Sequence, residues 1–242
     1  MEYHPRLNLD DLLIKESKII LGSFPTWSLS DTVNISGDIL LEKLESRKKS
    51  CEMPFFFGSA KNQFWHWYKI FNDPHLDIAV VDNIVSSLNY NQIGITDVIL
   101  SCERRDKSAL DKHLTKRKYN QNFFNYPKKG KTVKILCTSK GILNEMLLNK
   151  KFFIYHNTLS VNLTLSNLNQ RNFITNIKGD IALIKKPFYS FIEVENGGII
   201  ECLAIPSPGS PYRKLIDFGL NTLDVDGYLN SFVKQAFDWF RT

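Results

Sequence analysis

The sequence has no cysteine pair at metal-binding or redox spacing. No two of its four cysteines, Cys51, Cys102, Cys137 and Cys202, are close enough to form a C-x-x-C, so there is no zinc or iron–sulfur signature. Cys137 and Cys202 sit in apolar runs, where a reduced thiol behaves as a small hydrophobe, and all four read as free thiols of a reducing compartment. No apolar run approaches the length of a membrane span. The opening Met-Glu-Tyr-His-Pro-Arg lacks the apolar segment of a secretory signal. Internal repeats and low-complexity tracts are absent as well. These absences predict a soluble, cytoplasmic protein and give no metal signature.

What is present is globular composition. The chain has 242 residues, 43% hydrophobic and 23% charged, with a formal charge of +6. One α/β domain is the natural prior at this length. The basic balance is compatible with a polyanionic partner and does not by itself require one.

Four short apolar runs read as buried strands: Lys18–Leu21, Ile93–Leu100, Val133–Cys137 and Ile199–Ile205. Between them lie helical patterns at 9–15, about 36–49, 62 onward, about 76–88, 108–114 (capped by Ser108, with Asp111 at its third position) and 138–148. A last helix covers about 225–240. Strands alternating with helices predict a central, mainly parallel four-stranded sheet covered on both faces, a three-layer α/β/α sandwich. Residues 151–195 are rich in Asn, Thr and β-branched side chains, and Asn196-Gly197 is a hairpin signal. This stretch reads as a β-rich insertion in a single domain, 1–242. Ligands of such sheets bind beyond the carboxyl ends of the strands. That directs attention to Gly22–Pro25, Asp97, Thr138–Gly141 and Pro206–Arg213.

One stretch stands apart. Phe55-Phe56-Phe57 leads through Gly58-Ser59-Ala60 to Asn62, and Phe64, Trp65, Trp67 and Tyr68 follow at once. Asn62 is either the cap of an aromatic core helix or an amide at the lip of an aromatic-walled slot for a planar ring.

These four regions, in this order, resemble the uracil-DNA glycosylase superfamily. Gly22-Ser23-Phe24-Pro25 is similar to the first motif of the hypoxanthine (deoxyinosine) DNA glycosylase branch. Asn62-Gln63-Phe64-Trp65 is similar to that branch's Asn-x-Phe-Trp segment. Gly94-Ile95-Thr96-Asp97-Val98 resembles the second strand of the mismatch-specific uracil glycosylases, and Pro206-Ser207-Pro208-Gly209-Ser210-Pro211 resembles the minor-groove loop. The resemblance implies a monomeric, cofactor-free, monofunctional enzyme that flips a deaminated base, hypoxanthine or uracil, out of DNA and hydrolyses its glycosidic bond, leaving an abasic site. It casts Asn62 as the group that positions water.

Two departures from the family pattern stand out: Ser23-Phe24-Pro25 lacks the water-activating Asp, and Pro206-Ser207 lacks the His that stabilises the departing base. They imply a slow enzyme in which Ser207 and backbone N–H groups of Gly209 or Ser210 are the donors, since Pro208 and Pro211 have none. Gly22, Ser23 and Phe24 line the expected base site, with Phe24 either a stacking wall or a core plug. Asp97 organises water, reads the base edge or caps the strand end. Thr138 and Ser139 bond base or phosphate, or initiate a turn. Pro206, Pro208, Gly209 and Ser210 meet the minor groove, where Tyr212 or Arg213 fills the gap left by the flipped nucleotide; alternatively Ser210 and Pro211 begin a helix. Lys128, Lys129 and Lys131 are a backbone footprint or a solvated loop. His66 is packed or exposed, and His113 lies in a basic helix that touches phosphate. Two other readings remain: a non-catalytic nucleic-acid or modified-base binding module on this fold, and an α/β enzyme acting on a free nucleoside with the insertion as a lid.

Overall fold

A computed structural model describes residues 1–6, 17–30, 37–107, 111–120, 130–143, 162–164, 189–193, 198–211 and 225–242. Along these run β1 (Glu2–Tyr3), β2 (Lys18–Gly22), α1 (Asp38–Ser50), α2 (Phe64–Phe71), α3 (Val81–Tyr90), β3 (Ile93–Asp97), β4 (Ile99–Arg104), β5 (Leu114–Tyr119), β6 (Thr132–Cys137), β7 (Asn162–Thr164), β8 (Tyr189–Glu193), β9 (Ile199–Ala204) and α4 (Val225–Arg241).

The larger sheet has six strands in the order β3-β2-β6-β9-β8-β7. Its first four are parallel: Ile20 faces Ile95 on one side and Leu136 on the other, and Leu136 faces Leu203. Continuous apolar sequence is what such strands need, because helices cover them. Ile20, Leu21, Ile135, Leu136 and Leu203 are at most 1% exposed. The strands β8 and β7 continue this sheet antiparallel. The described part of the expected insertion therefore widens the main sheet from four strands to six. The hairpin residues Asn196 and Gly197, and the 9–15 helix, lie outside the described residues.

A second sheet, β1-β4-β5, is antiparallel. It corrects two expectations. The apolar run Ile93–Leu100 is not one strand: it breaks at Val98, where the chain leaves the first sheet and enters the second. The backbone there is held by Val98 N–H to Gly22 O (3.0 Å) and Ile99 N–H to Ser23 O (3.1 Å). The basic segment after residue 110 is not a helix either. Asp111–His113 is a 3₁₀ turn and Leu114–Tyr119 is a strand, so His113, Lys116 and Arg117 share no helix face.

Around the sheets, α2 is aromatic and buried. Phe64, Trp65, Trp67 and Tyr68 are at most 3% exposed, and Phe64 and Tyr68 pack with Phe237 of α4. His66, on the same helix, is exposed. The end of α4 is tied to the sheet by Lys18 Nζ to Arg241 O (2.5 Å) and Lys134 Nζ to Trp239 O (3.1 Å), cations at a helix carboxyl end. The helix α3 begins at Val81, later than the pattern suggested, and Leu76 is buried ahead of it. The helix α1 turns Ile39, Leu41 and Leu44 outward and buries Lys43, whose ammonium donates to Ser30 Oγ (2.7 Å) over the Trp27 ring.

Candidate functional site

In the parallel sheet, β2 is first in sequence, yet β3 lies on one side of it and β6 on the other. The winding reverses between β2 and β6, and a crevice forms beyond the strand ends at such a point. A cleft of about 570 Å³ lies there, within the usual size of small-ligand sites.

Every strand end contributes to it. From the first come Ser23 and Phe24, from the second Asp97, from the third Thr138 and Ser139, and from the fourth Ser207, Pro208 and Gly209. A second wall is the loop before α2, with Phe55, Phe56, Phe57 and Asn62. Asn62 and Ser207 thus share one cleft, and the two walls are joined where Gln63 N–H donates to Pro208 O (3.1 Å). Gly22 lies beneath, Pro206 is buried, and Ser210 is half-buried and outside the lining. Tyr212, Arg213, Lys128 and Lys129 lie outside the described residues.

Several of these side chains also hold local structure. Asn62 Oδ1 accepts from Phe64 N–H (2.9 Å), the Asx geometry that starts a helix. The helix itself begins at Phe64 rather than at Asn62. Thr138 Oγ1 donates to Leu21 O (3.2 Å), and Ser139 Oγ accepts from Ile142 N–H (3.2 Å). Ser207 O accepts from Ser210 N–H (3.0 Å), closing a turn with Pro208 at its second position. Phe24 packs one face toward the Arg104 guanidinium, 5.7 Å from the ring centroid, and lines the cleft.

The aromatic wall is fixed tightly. Trp65 Nε1–H donates to Phe56 O (2.7 Å), and Met53 N–H to Gly58 O (2.8 Å). A Cβ at Gly58 would stand 2.0 Å from Met53 O, so only glycine fits. Phe57 adopts φ 55°, a backbone region that non-glycine residues avoid. Its ring lies 4.8 Å from that of Phe64.

The chemistry centres on a pair that sequence reading missed in part. Asp97 is 4% exposed, and its Oδ2 lies 2.9 Å from Nε2 of His4, itself 4% exposed. His4 Nδ1 accepts from Arg6 N–H (3.1 Å), so the ring proton is on Nε2 and is donated to Asp97. Asp97 Oδ1 has no hydrogen-bond partner among the described residues. It faces Gly22, where an added Cβ would stand 1.9 Å away. The N-terminal segment reaches this position because β1 pairs with β4, which follows Asp97 directly. No local pattern marked His4, which follows β1 directly.

Asp97 shares the cleft with a second acid. Asp111, expected inside a helix, lines it and accepts from Ser23 Oγ–H (2.8 Å). At the rim stand Arg6, Arg47 and Lys61. Burial lowers the Arg6 and Arg47 guanidinium pKa from the ordinary value, with Glu52 opposing this at Arg47. Among the described residues no group of three or more His, Cys, Asp or Glu is placed to hold a metal ion, and no helix is long and apolar enough to cross a membrane.

No family model and no curated protein matches this chain. The cleft's own contents therefore carry the functional argument. They are a cluster of mutually tilted aromatic rings, a buried carboxylate held by a neutral imidazole, an amide, several hydroxyls and cationic side chains.

Proposed function

We propose that the protein is a monofunctional DNA glycosylase, acting as a cytoplasmic monomer, that extrudes a deaminated base, hypoxanthine or uracil, and hydrolyses its glycosidic bond to leave an abasic site. The observation that carries this reading is the convergence of Phe24, Asn62, Asp97 and Ser207 on one cleft at the strand ends. Residues from four separate parts of the chain, singled out by one resemblance, line the same space. The fold belongs to the proposal as a three-layer α/β/α sandwich.

In this reading the extruded base stacks on Phe24, a half-buried ring that lines the cleft at the end of β2. Unstacking costs a few kcal/mol, and stacking on aromatic faces returns about 1–3 kcal/mol per base. Cleavage builds positive charge on the sugar and negative charge on the base. Asn62 retains a second lone pair on Oδ1 and its NH₂ group for a water at the sugar face, while Ser207 Oγ–H and the Gly209 N–H are donors for the base. Arg6, Arg47 and Lys61 give the cleft mouth a positive rim suited to phosphate.

A second reading, a non-catalytic module that binds modified bases, draws on the Asn62 oxygen being already bonded to Phe64 N–H. One experiment separates the two. Oligonucleotides with a single deoxyinosine or deoxyuridine are incubated with excess protein, and abasic sites are revealed by alkali. Strand breaks at the lesion are the expected result. Salt-sensitive binding without abasic product would establish the binding module instead.

A further inference from the structure

Two arginines that line the cleft, Arg6 and Arg47, are half-buried and have no ion-pair partner among the described residues. Charges taken even partly from water ordinarily find an opposite charge. Here backbone carbonyls and a ring stand in its place. Arg6 Nη2–H donates to Pro54 O (2.8 Å), and its guanidinium lies 5.0 Å from the Phe55 ring centroid. Arg47 Nε–H donates to Ser28 O. Glu52 attracts Arg47 without reaching ion-pair distance, and its own carboxylate accepts the Ser28 Oγ–H. The two acids lining the cleft are engaged elsewhere, Asp97 with His4 and Asp111 with Ser23.

One short turn ties the two arginines together. Arg47 stands in the last turn of α1, which ends at Cys51 in the left-handed region (φ 51°), and Glu52 N–H donates back to Arg47 O (3.0 Å). Pro54, which anchors Arg6, follows at once. We propose that Arg6 and Arg47 form a phosphate subsite of the cleft, holding the phosphate of the nucleotide whose base enters it, with the exposed Lys61 as a third cation. The proposal rests on the reading of the cleft as a nucleotide site and holds whether or not the glycosidic bond is cut. Each guanidinium spends one of its five N–H groups on a carbonyl, which leaves donors for two phosphate oxygens. Because those carbonyls already fix both side chains, little rotamer freedom is lost on binding. A phosphate gripped away from the reacting bond helps hold the sugar in place. Neither arginine belongs to the four regions of the family resemblance, so the subsite is additional to the minor-groove loop.

The test uses two variants and a control, each checked for folding by its melting temperature. Arg47→Gln puts an amide N–H where Nε stands, keeping the bond to Ser28 O while removing the guanidinium. Arg6→Met keeps the stem over Phe55. The control, Lys49→Gln, removes an exposed cation of the same helix end that does not line the cleft. The small probes are 2′-deoxyuridine and its 5′- and 3′-monophosphates, titrated by calorimetry. The strand probe is an oligonucleotide bearing one 2′-fluoroarabino uridine, whose fluorine suppresses bond cleavage, read by fluorescence anisotropy. One of the monophosphates should bind wild-type protein about 10-fold or more tightly than the nucleoside, the scale of a hydrogen bond to a charged group. Each arginine variant should lose most of that advantage and weaken the oligonucleotide by a similar factor, and Lys49→Gln should change neither.

Arginine dependence with a monophosphate assigns the subsite to a single nucleotide's phosphate, and dependence with the oligonucleotide alone assigns it to the phosphodiester of a strand. The proposal is overturned if neither monophosphate outbinds the nucleoside and neither arginine variant weakens the oligonucleotide. It is overturned equally if Lys49→Gln weakens the probes as much as the arginine variants do. Arginine-dependent binding by a protein that leaves deoxyuridine in DNA uncut sinks the glycosylase reading and sustains the subsite. Excision of deoxyuridine, with binding indifferent to both arginines, does the opposite.

Discussion

Substituting Gly22 by alanine should damage the site and the fold together. The Gly22 backbone lies outside the left-handed region, so the effect arises from space and not from conformation. The new methyl would stand 1.9 Å from Asp97 Oδ1 and 2.4 Å from Phe57 Cε1. Neither neighbour yields easily. The Asp97 carboxylate is tied to His4, and the Phe57 ring is packed against Phe56, Phe64 and Trp65. Overpacking of a tight site costs about 1–3 kcal/mol, which in a protein of this size lowers Tm by roughly 2–12 °C. Calorimetry on wild type, Gly22→Ala, Asp97→Ala and the double variant gives a cycle. Removal of the carboxylate should relieve part of the clash, with a coupling of about 0.5–3 kcal/mol. A Gly22→Ala protein melting within about 1 °C of wild type, with additive effects in the double variant, would refute the contact.

Asn62→Ala should lower excision by about 100-fold or more and lose about 1 kcal/mol of stability with the helix-starting bond. Asn62→Asp keeps the oxygen facing Phe64 N–H, so its melting temperature should match wild type, which calorimetry beside the excision assay will show. Arg104, whose guanidinium pairs with Glu2 (3.0 Å), donates to Pro25 O (2.6 Å) and backs the Phe24 ring, anchors the second sheet to the cleft. Breaking a buried pair of this kind costs about 3–5 kcal/mol, so Arg104→Ala should shift the urea midpoint downward by that equivalent. Thiol labelling at pH 8 with a chromogenic reagent should find Cys51 alone reacting fast. Cys102, Cys137 and Cys202 are buried, and burial pushes the Cys102 thiol up to about 11, leaving little thiolate at that pH. All four should react after unfolding.

Much of the cleft was legible in the sequence because buried parallel strands leave uninterrupted apolar runs that stop at polar or proline-rich turns. Gly22, Thr138 and Pro206 could each be found at the end of such a run. The same rule failed at Val98. An apolar residue there hides the break between two sheets, since Ile99 and Cys102 enter a different small core with Leu114. The strand Leu114–Tyr119 escaped notice because it is an edge strand with exposed Thr115, Lys116 and Lys118, and its basic residues read as a helix face. His4 was hidden for another reason: it meets a residue 93 positions away, and no local pattern announces such a pairing. Lys43 shows the limit of apolar spacing, because α1 buries the ammonium stem while Ile39, Leu41 and Leu44 face out.

One continuous segment, Ile93–Arg104, serves both sheets, and the crossing at Val98 is pinned to Gly22 O and to Asn120 N–H (2.8 Å). That side of the cleft is a welded corner. Widening of the mouth must come from the facing rim, where a single backbone bond, Gln63 N–H to Pro208 O, fastens the Ser59–Asn62 turn to the Ser207–Ser210 turn. Amide exchange should therefore be fast at Gln63 and slow at Val98 and Ile99, with DNA slowing Gln63 most of the three.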